Sequence, residues 1–307
     1  MSDHHAKAMM MIEKLSLTCD RRLSHLQVAC CHSYCGLPLH GKDMLIYNNM
    51  DTERKPLLLT GHHCEISAMT FGKGNRPILL CSASADYIIV WDIELCQRKT
   101  QDVATGTVIG SFLGEVVHLS FCFSDERVAA CSGAAVHVLS SKRHGVISTL
   151  RSHLGPVLAA EFCPWNKDLL VTISEDRTFK MWDLKTEAVC YQSFVLSASP
   201  LLSLLFIEEK KHLITGSKDG QVWCFSLSES HTCQLVTKMD LQKLGKRHEV
   251  RGGTLNHQAG EPPTDPSHRE RQLRWLCIGS SDGLYVVDLD TSELVTVLYF
   301  KGRPLEV

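Results

Sequence analysis

One pattern of residues occurs twice in the sequence with the same internal spacing. Each copy places a His after a short apolar strand, continues through further short apolar runs, and ends in Trp-Asp. The Trp follows the His by 29 residues in both copies, and the copies are offset by 91 residues. Short apolar runs that recur with a fixed period indicate a repeat protein made of small β-sheet units. The two copies are Leu59–Asp92 and Leu150–Asp183.

The offset of 91 residues leaves room for a further unit between the two copies, because repeats built from small β-sheets commonly take about 40–45 residues. The sequence Val128–Ser141 lies there and alternates apolar with small residues. Steps of 43 to 44 residues reach Tyr47 before the first copy and Phe225 after the second. A last copy ends at Val287 or Asp288, about 62 residues after Phe225, because the segment 245–272 intervenes. We therefore expect six strand ends at near-regular spacing, one for each of six units.

The His, the turn Asp and the Trp-Asp pair resemble the WD-repeat family over about Leu23 to Phe300. The resemblance implies an all-β fold, a WD40-type β-propeller with about six blades visible. The third blade is expected over about Gly106–Ser141, and the fourth is expected to finish with Val189–Val195.

The resemblance also implies a buried hydrogen-bonded tetrad in each of the two regular blades. In this family a loop His, a strand Ser or Thr, a turn Asp and a strand Trp form the tetrad. The alternative reading of the same residue types is a hydrolase triad, but residues that recur with the blade period favour a structural role. The tetrad positions are His153, Thr172 or Ser174, Asp176 and Trp182 in one blade, and His62, Ser82 or Ser84, Asp86 and Trp91 in the other.

The expected domain organisation is one propeller between two tails. Residues 1–22 are interpreted as a flexible tail, 23–300 as the propeller, and 301–307 as a divergent tail. Residues 245–272 are rich in Gly, Pro, His and charge, which predicts a disordered insertion. A seventh repeat starts and is cut off, so the chain resembles a short form, and an open ring is favoured over closure with six blades.

Composition indicates which classes of binding partner and which cellular compartment to expect. A formal charge of −2 and a pI of about 6.7 do not indicate nucleic acid or a membrane as partner. The 14 cysteines, without a secretory signal, are interpreted as reduced thiols of an intracellular protein, cytoplasmic or nuclear. No cofactor or metal is expected, because the group Cys30, Cys31, His32, Cys35 and His40 does not have the spacing of a common zinc site.

These patterns favour a non-catalytic interaction scaffold that binds other proteins or peptides. Pairing of open blade edges with a partner is a second expected mode of association. Exposed turn residues are the candidate partner contacts, namely Tyr87, Arg177 and Lys218. The alternative function is an enzyme or ligand-binding propeller with its site in the central channel.

Overall fold

The computed structural model describes residues 27–98, 106–228, 232–252 and 275–299. Within these ranges 23 strands form six sheets, and the strands of each sheet follow one another in chain order. The first sheet contains β1 (Ala29–Cys30), β2 (Tyr34–Leu39), β3 (Asp43–Asn48) and β4 (Leu57–Leu59). The second contains β5 (Ile66–Phe71), β6 (Leu79–Ser84), β7 (Tyr87–Asp92) and β8 (Thr107–Ser111). The third contains β9 (Val116–Phe121), β10 (Arg127–Ser132), β11 (Ala135–Ser140) and β12 (Val146–Arg151).

The remaining three sheets continue this arrangement. The fourth contains β13 (Val157–Phe162), β14 (Leu169–Ser174), β15 (Phe179–Asp183) and β16 (Ala188–Gln192). The fifth contains β17 (Leu201–Ile207), β18 (His212–Ser217), β19 (Gln221–Leu227) and β20 (Cys233–Asp240). The sixth has three strands in the described ranges, β21 (Trp275–Gly279), β22 (Gly283–Asp288) and β23 (Leu294–Tyr299).

The strand register confirms the predicted spacing of strand ends. Each predicted end residue lies on the third strand of its sheet and faces an early residue of the second strand, apart from the last, which lies on the second strand of a three-stranded sheet. The equivalent cross-strand pairs are Cys35↔Tyr47, Leu80↔Trp91, Leu170↔Trp182, Leu213↔Phe225 and Leu276↔Val287.

The predicted limits of the third blade were wrong by one strand. The strand β8 pairs with β7 and completes the second sheet, whereas the sequence repeat places its residues in the third blade. The strand β12 completes the third sheet, whereas the sequence repeat places it at the start of the unit that contains His153. The sequence repeat is therefore shifted by one strand from the hydrogen-bonded sheet, and the outer strand of each sheet precedes the next His loop.

The structure also contains short helices that the β-repeat pattern did not indicate. They are α1 (Ile93–Arg98), a 3-10 helix (Glu208–Lys210) and α2 (Leu241–Gly252). Asp92 and Asp240 each accept a hydrogen bond from a backbone N–H three residues later, which caps α1 and α2. Residues 245–252 of the predicted insertion thus lie in a helix, because the cap and buried Leu241 anchor its first turn.

Several sequence predictions fall outside the described residues. These are the predicted tails at 1–22 and 301–307 and the part of the insertion at 253–272. The open ring stays a prediction. In the described ranges, none of the helices has the length and apolar character needed to cross a bilayer.

The described residues group into two compact units, each with its own core. Among the described residues, one unit consists of those up to Val128 and of Leu139–Gly145, and the other of Ala129–Val138 and those from Val146 onward. The core of the first unit joins the first two sheets through residues that include Tyr34, Met44, Phe71 and Trp91. The core of the second joins the fourth and fifth sheets, where the rings of Phe179 and Phe225 lie 5.1 Å apart. Burial of both faces of a sheet requires such packing against a neighbouring sheet.

The third sheet lacks the regular blade residues and depends largely on apolar burial. Its central strands β10 and β11 are almost entirely buried. A polar contact is also present, because His137 on β11 bonds to the Thr149 hydroxyl, with 3.1 Å between Nδ1 and Oγ1.

The loop between β5 and β6 is held by a carboxylate from the third sheet. The Asp125 carboxylate accepts the backbone N–H groups of Lys73 at 2.7 Å and Gly74 at 2.8 Å. A Cβ at Gly72 would lie 2.6 Å from Asp125 Oδ2, so only glycine permits this approach. The sequence Gly72-Lys73-Gly74 therefore binds an anion, and that anion is a side chain of the same unit.

We expect Asp125→Asn to lower the free energy of unfolding by about 1–3 kcal/mol, because one buried acceptor and its charge are lost. Asn tolerates the positive φ of 56° at this residue, so backbone strain does not enter the comparison. The neighbouring Glu126→Gln is the control, since Glu126 forms an exposed ion pair with Lys142. Equal losses for both variants in urea titrations would contradict this role of Asp125.

Candidate functional site

In the fourth sheet, four side chains form one continuous chain of hydrogen bonds. Trp182 Nε1 donates to Thr172 Oγ1 at 2.9 Å, and Thr172 Oγ1 lies 2.7 Å from His153 Nε2. His153 Nδ1 lies 2.7 Å from Asp176 Oδ2. An ionised Asp176 places the imidazole proton on Nδ1, so Nε2 accepts from the Thr172 hydroxyl. The order of donation is therefore Trp182, Thr172, His153, Asp176.

Thr172, rather than Ser174, is the hydroxyl that joins the His to the Trp. The Ser174 hydroxyl donates to the Gly155 carbonyl at 3.1 Å and accepts the Asp176 N–H at 3.1 Å. It supports the turn that carries Asp176 and is not part of the hydrogen-bonded series from Trp182 to the Asp176 carboxylate.

In the second sheet, the equivalent chain contains one more hydroxyl. Trp91 Nε1 donates to Ser82 Oγ at 2.9 Å, and Ser82 Oγ lies 2.7 Å from His62 Nε2. Ser84 Oγ lies 2.8 Å from His62 Nδ1 and donates to Asp86. The His62 ring and the Asp86 carboxylate are 3.5 Å apart, which is longer than the 2.7 Å contact in the fourth sheet.

The length of one turn explains this difference. Counted between equivalent cross-strand pairs, the second sheet has four residues between Ala83 and Ile88, whereas the fourth has five between Ile173 and Phe179. Arg177, with a φ of 68°, extends the longer turn and lets its Asp reach the His directly. The shorter turn holds Asp86 further from His62, and Ser84 fills the gap. A tightened turn absorbs the difference in length, since β6 and β7 pair without a register shift.

The fifth sheet carries a reduced network that the sequence pattern did not reveal. Ser197 occupies the loop place of the His and donates to the Asp219 carboxylate at 2.9 Å, and Ser217 also donates to Asp219. Phe225 occupies the Trp place, so the Thr215 hydroxyl donates to the Ser203 carbonyl at 3.0 Å. The signal for Asp219 was the SKDG turn, which matches the SEDR turn of the fourth sheet.

Burial and hydrogen bonding together set the pKa values of these groups. Burial lowers the pKa of His153, although hydrogen bonding to Asp176 acts in the opposite direction. Burial lowers the pKa of His62 in the same way. Burial alone would raise the pKa of Asp176, but hydrogen bonds from Thr178 and His153 hold it below its usual range. The buried Lys180 ammonium lies near this network and donates to Gln192 Oε1 at 2.6 Å.

In the second sheet, Asp86 also accepts hydrogen bonds from three residues that carry aromatic side chains. Asp86 Oδ2 accepts the His63 backbone N–H at 2.9 Å and contacts its Nδ1 at 3.1 Å. Asp86 Oδ1 accepts the Tyr87 N–H at 2.9 Å, and the Asp86 carbonyl accepts the Phe112 N–H at 3.0 Å. The Tyr87 ring centroid lies 5.9 Å from that of His63 and 6.3 Å from that of Phe112. We call His63, Tyr87 and Phe112 the aromatic cluster.

The aromatic cluster is accessible to solvent. Phe112 is 79% exposed and has a positive φ of 54°, and the His63 side chain is 77% exposed. Tyr87 is half-buried and packs against the core of the first unit. A Phe in a left-handed conformation is costly for the backbone, so its local hydrogen bonds must hold it in place.

The fourth sheet presents exposed side chains at its corresponding end. Asp176 Oδ2 accepts the backbone N–H of Leu154 at 3.0 Å, and Leu154 is 96% exposed. The Arg177 carbonyl accepts the Leu196 N–H at 3.2 Å, beside Phe194, which is 73% exposed. In both sheets the Asp of the network holds the loops that carry exposed apolar groups.

The three predicted contact residues lie at equivalent loops of their sheets. Tyr87 begins β7, Arg177 lies between β14 and β15, and Lys218 lies between β18 and β19. Arg177 and Lys218 are exposed. The cysteine-rich group does not form a ligand cluster, since no three His, Cys, Asp or Glu side chains come together as metal ligands in the described part of the chain.

The family comparison decides the identity of the repeat. Residues 145–183 match the WD40 family model, described as WD domain, G-beta repeat. Residues 145–183 are a WD40 repeat, and the fold class of the chain is a WD40-type β-propeller. The match covers the loop of His153, the Asp176 turn and Trp182, so the hydrogen-bonded network of the fourth sheet lies inside the WD40 repeat.

Three curated proteins are similar to part of this chain. It is 27% identical over 183 residues to Protein tipD of Dictyostelium discoideum, covering 59% of this chain and 28% of tipD. It is 24% identical to pre-mRNA-splicing factor cwf17 of Schizosaccharomyces pombe, covering 59% of this chain and 51% of cwf17. It is 25% identical to human WD repeat and FYVE domain-containing protein 1, covering 47% of this chain and 34% of that protein. The chain thus spans about half or less of each relative.

A solved structure shares the fold of this WD40 propeller. A chain of the structure titled "Crystal Structure of Mitotic Checkpoint Complex" aligns with a TM-score of 0.57 and 19% identity. The alignment covers 68% of this chain and 61% of that chain. At this identity the likeness concerns the fold alone.

We expect Trp182→Ala to lower the free energy of unfolding by about 3–5 kcal/mol, because a buried ring and a bonded N–H are removed. Trp182 is 3% exposed, whereas Trp275 at the start of β21 is half-buried. Trp275→Ala is therefore the control and should cost less. Equal costs in guanidinium titrations would show that the network is not where the structure places it.

The protein should lose stability as the pH falls from about 7.5 to about 5.5. Burial lowers the pKa of His62, His137, His153 and His212 in the folded chain. The unfolded chain then binds protons first, so this stabilisation is complete above the ordinary His pKa of about 6.5 and falls below it.

The variant His153→Gln should show a shallower dependence of unfolding free energy on pH, with the exposed His144→Gln as the control. Stability that is unchanged or higher at the lower pH would contradict the assignment of buried neutral histidines.

Proposed function

We propose that the chain is a non-catalytic interaction scaffold that presents one loop end of its sheets to protein or peptide partners. The observation that carries this proposal is the attachment of exposed side chains to the Asp residues of the buried networks. Asp86 holds the aromatic cluster, and Asp176 holds the loop of Leu154. The surface is therefore fixed before a partner arrives.

Pre-ordered aromatic groups suit this function. Aromatic side chains bury a large area on binding and have few rotatable bonds, so they dominate the energy of many interfaces. Binding to a surface that is already fixed avoids the cost of ordering loops. Phe112 supplies such a ring, which is 79% exposed. The half-buried Tyr87 ring packs beside it, with 6.3 Å between the ring centroids.

The second unit carries candidate contact residues of its own, and some of them are charged. Arg177 and Lys218 are exposed turn residues, and Leu154 and Phe194 are exposed apolar residues at the same end of the fourth and fifth sheets. Arg is common in interface centres because its planar group bonds and stacks at once. We propose Tyr87, Arg177 and Lys218 as partner contacts.

The accessibility of the networks supports a structural role rather than hydrolysis. A nucleophilic hydroxyl and its base must reach a substrate. Thr172 and Ser82 are fully buried, and each hydroxyl already bridges a His and a Trp. These groups have the residue types of a triad, but their bonds and burial suit packing.

The relatives support the same proposal at a coarser level. One is named a pre-mRNA-splicing factor, and another carries a FYVE domain beside its WD repeats. We propose an intracellular location, cytoplasmic or nuclear. We also propose a relationship within the family to the N-terminal propeller of WD repeat-containing protein 27, which the runs LLLTGHHCEISAMTFG and HLGPVLAAEFCPW resemble. The tail from about Lys301 departs from that resemblance.

Proximity labelling in cells, with the full chain as bait, tests the proposed surface. Phe112→Asn and Arg177→Asn should each abolish the labelling of a reproducible set of protein neighbours. Each substitution removes a proposed contact side chain from the loop end of its sheet. Asn tolerates the positive φ at both residues, so the backbone is kept.

Two controls place the same substitution at the opposite ends of the sheets. Phe123→Asn matches Phe112→Asn, since Phe123 is 62% exposed in the loop after β9. Lys185→Asn matches Arg177→Asn, since the Lys185 side chain is 71% exposed in the loop after β15. Neighbours that survive the first pair and disappear with the controls would move the surface to the opposite end. Neighbours unaffected by all four variants, together with turnover of a bound metabolite, would favour the enzyme alternative.

A further inference from the structure

Two thiols of the first sheet face each other across a hairpin. The strands β1 and β2 pair in register, with Cys30 opposite Cys35. The two sulfur atoms lie 2.8 Å apart, and both cysteines are free thiols in this structure. Two sulfur atoms at this separation are closer than ordinary non-bonded contact, and a disulfide needs them at about 2.0 Å.

The backbone register explains the approach. Cys31 N–H donates to the Tyr34 carbonyl at 2.8 Å, so this residue pair is the hydrogen-bonded one. The next pair along, Cys30 and Cys35, is then a non-hydrogen-bonded pair, in which Cα atoms are about 4.5 Å apart and side chains are closest. That separation falls within the range of about 4.4–6.8 Å that disulfides span.

The alternation of side chains separates this pair from the adjacent cysteine. Cys31 packs against the core of the first unit, together with Ala29 and Tyr34. Neighbouring residues on a strand point to opposite faces, so Cys30 and Cys35 share the other face. Cys30 is exposed and Cys35 is half-buried. An oxidant can therefore reach Cys30 directly, with Cys35 beside it.

We propose that Cys30 and Cys35 are a redox modification site that a hydroperoxide converts reversibly into a disulfide. In the first step the Cys30 sulfur attacks the peroxide oxygen, the O–O bond breaks, and Cys30 sulfenic acid and water form with hydrogen peroxide as oxidant. In the second step the Cys35 sulfur attacks the sulfenic sulfur, and a second water leaves with the Cys35 proton. Both thiols are oxidised, one peroxide is reduced to two waters, and a dithiol reductant reverses the reaction.

The protonation of Cys35 agrees with its place in this sequence of steps. Burial, with the Cys30 contact, raises the pKa of the Cys35 thiol to about 12. A thiol with a high pKa reacts slowly with peroxide because the thiolate is the nucleophile. Cys35 therefore acts second, as the thiol that resolves the sulfenic acid at 2.8 Å.

The disulfide would fasten the shortest strand of the first sheet. The strand β1 has two residues and pairs with β2 through Ala29↔Gly36 and Cys30↔Cys35. Gln27, just before β1, donates to the Ile66 carbonyl of β5 in the second sheet at 2.7 Å. A covalent link at Cys30 would thus hold both the edge strand and its contact to the next sheet.

The test is a peroxide titration of the full chain after removal of reductant, followed by thiol alkylation and mass spectrometry. We expect Cys30 and Cys35 to lose alkylation together, with loss of two hydrogens from their shared peptide and full recovery on reduction. The exposed Cys64 and Cys277 should remain alkylated at the same dose. Amide exchange over β1 and β2 should slow in the oxidised protein and return on reduction.

Three variants make the result specific. Cys31→Ser should form the disulfide normally, whereas Cys30→Ser and Cys35→Ser should abolish it. Loss of the disulfide in Cys31→Ser would overturn the proposal, because the bond would then involve Cys31. Oxidation of Cys30 to sulfinic acid without a disulfide, or disulfide formation with unchanged amide exchange in β1, would also overturn it.

Discussion

A buried hydroxyl shared by a His and a Trp is the interaction on which the regular sheets depend. In the fourth sheet Thr172 accepts the Trp182 N–H and donates to the imidazole of His153. The indole and imidazole each carry a polar group into an apolar interior, where an unpaired donor or acceptor is costly. One hydroxyl satisfies both, so the rings can pack between sheets without an unbonded polar atom.

The same network continues to the protein surface through a carboxylate. Asp176 accepts from the buried His153 and from the backbone of the exposed Leu154, and Asp86 holds the aromatic cluster in the second sheet. Stability of the sheet interior and order of the loop end are therefore coupled through one residue in each sheet. This coupling explains how a fold with buried polar groups can hold exposed side chains in fixed positions, as the proposed partner surface requires.

The period of the His and the Trp was sufficient to predict the strand ends, since it also located Tyr47 and Phe225 in sheets without a Trp-Asp pair. It did not show which outer strand completes each sheet, because the hydrogen-bonded sheet is shifted by one strand from the sequence repeat. The choice between Thr172 and Ser174 needed coordinates, because both lie on the same strand and differ only in which partner they reach. The Ser84 link followed from a turn one residue shorter, whose effect on atomic distances the sequence does not specify. The aromatic cluster was missed because Phe112 joins Asp86 through backbone atoms, which carry no sequence signature.

A double-mutant cycle between Thr172→Val and Trp182→Phe tests this account most directly. Thr172→Val leaves the Trp182 N–H without its acceptor, but with Phe at 182 that penalty disappears. The double variant should therefore lose less unfolding free energy than the sum of the single variants, by about 0.5–3 kcal/mol. Additive losses, within about 0.5 kcal/mol, would contradict the shared hydroxyl as the interaction that stabilises the sheet.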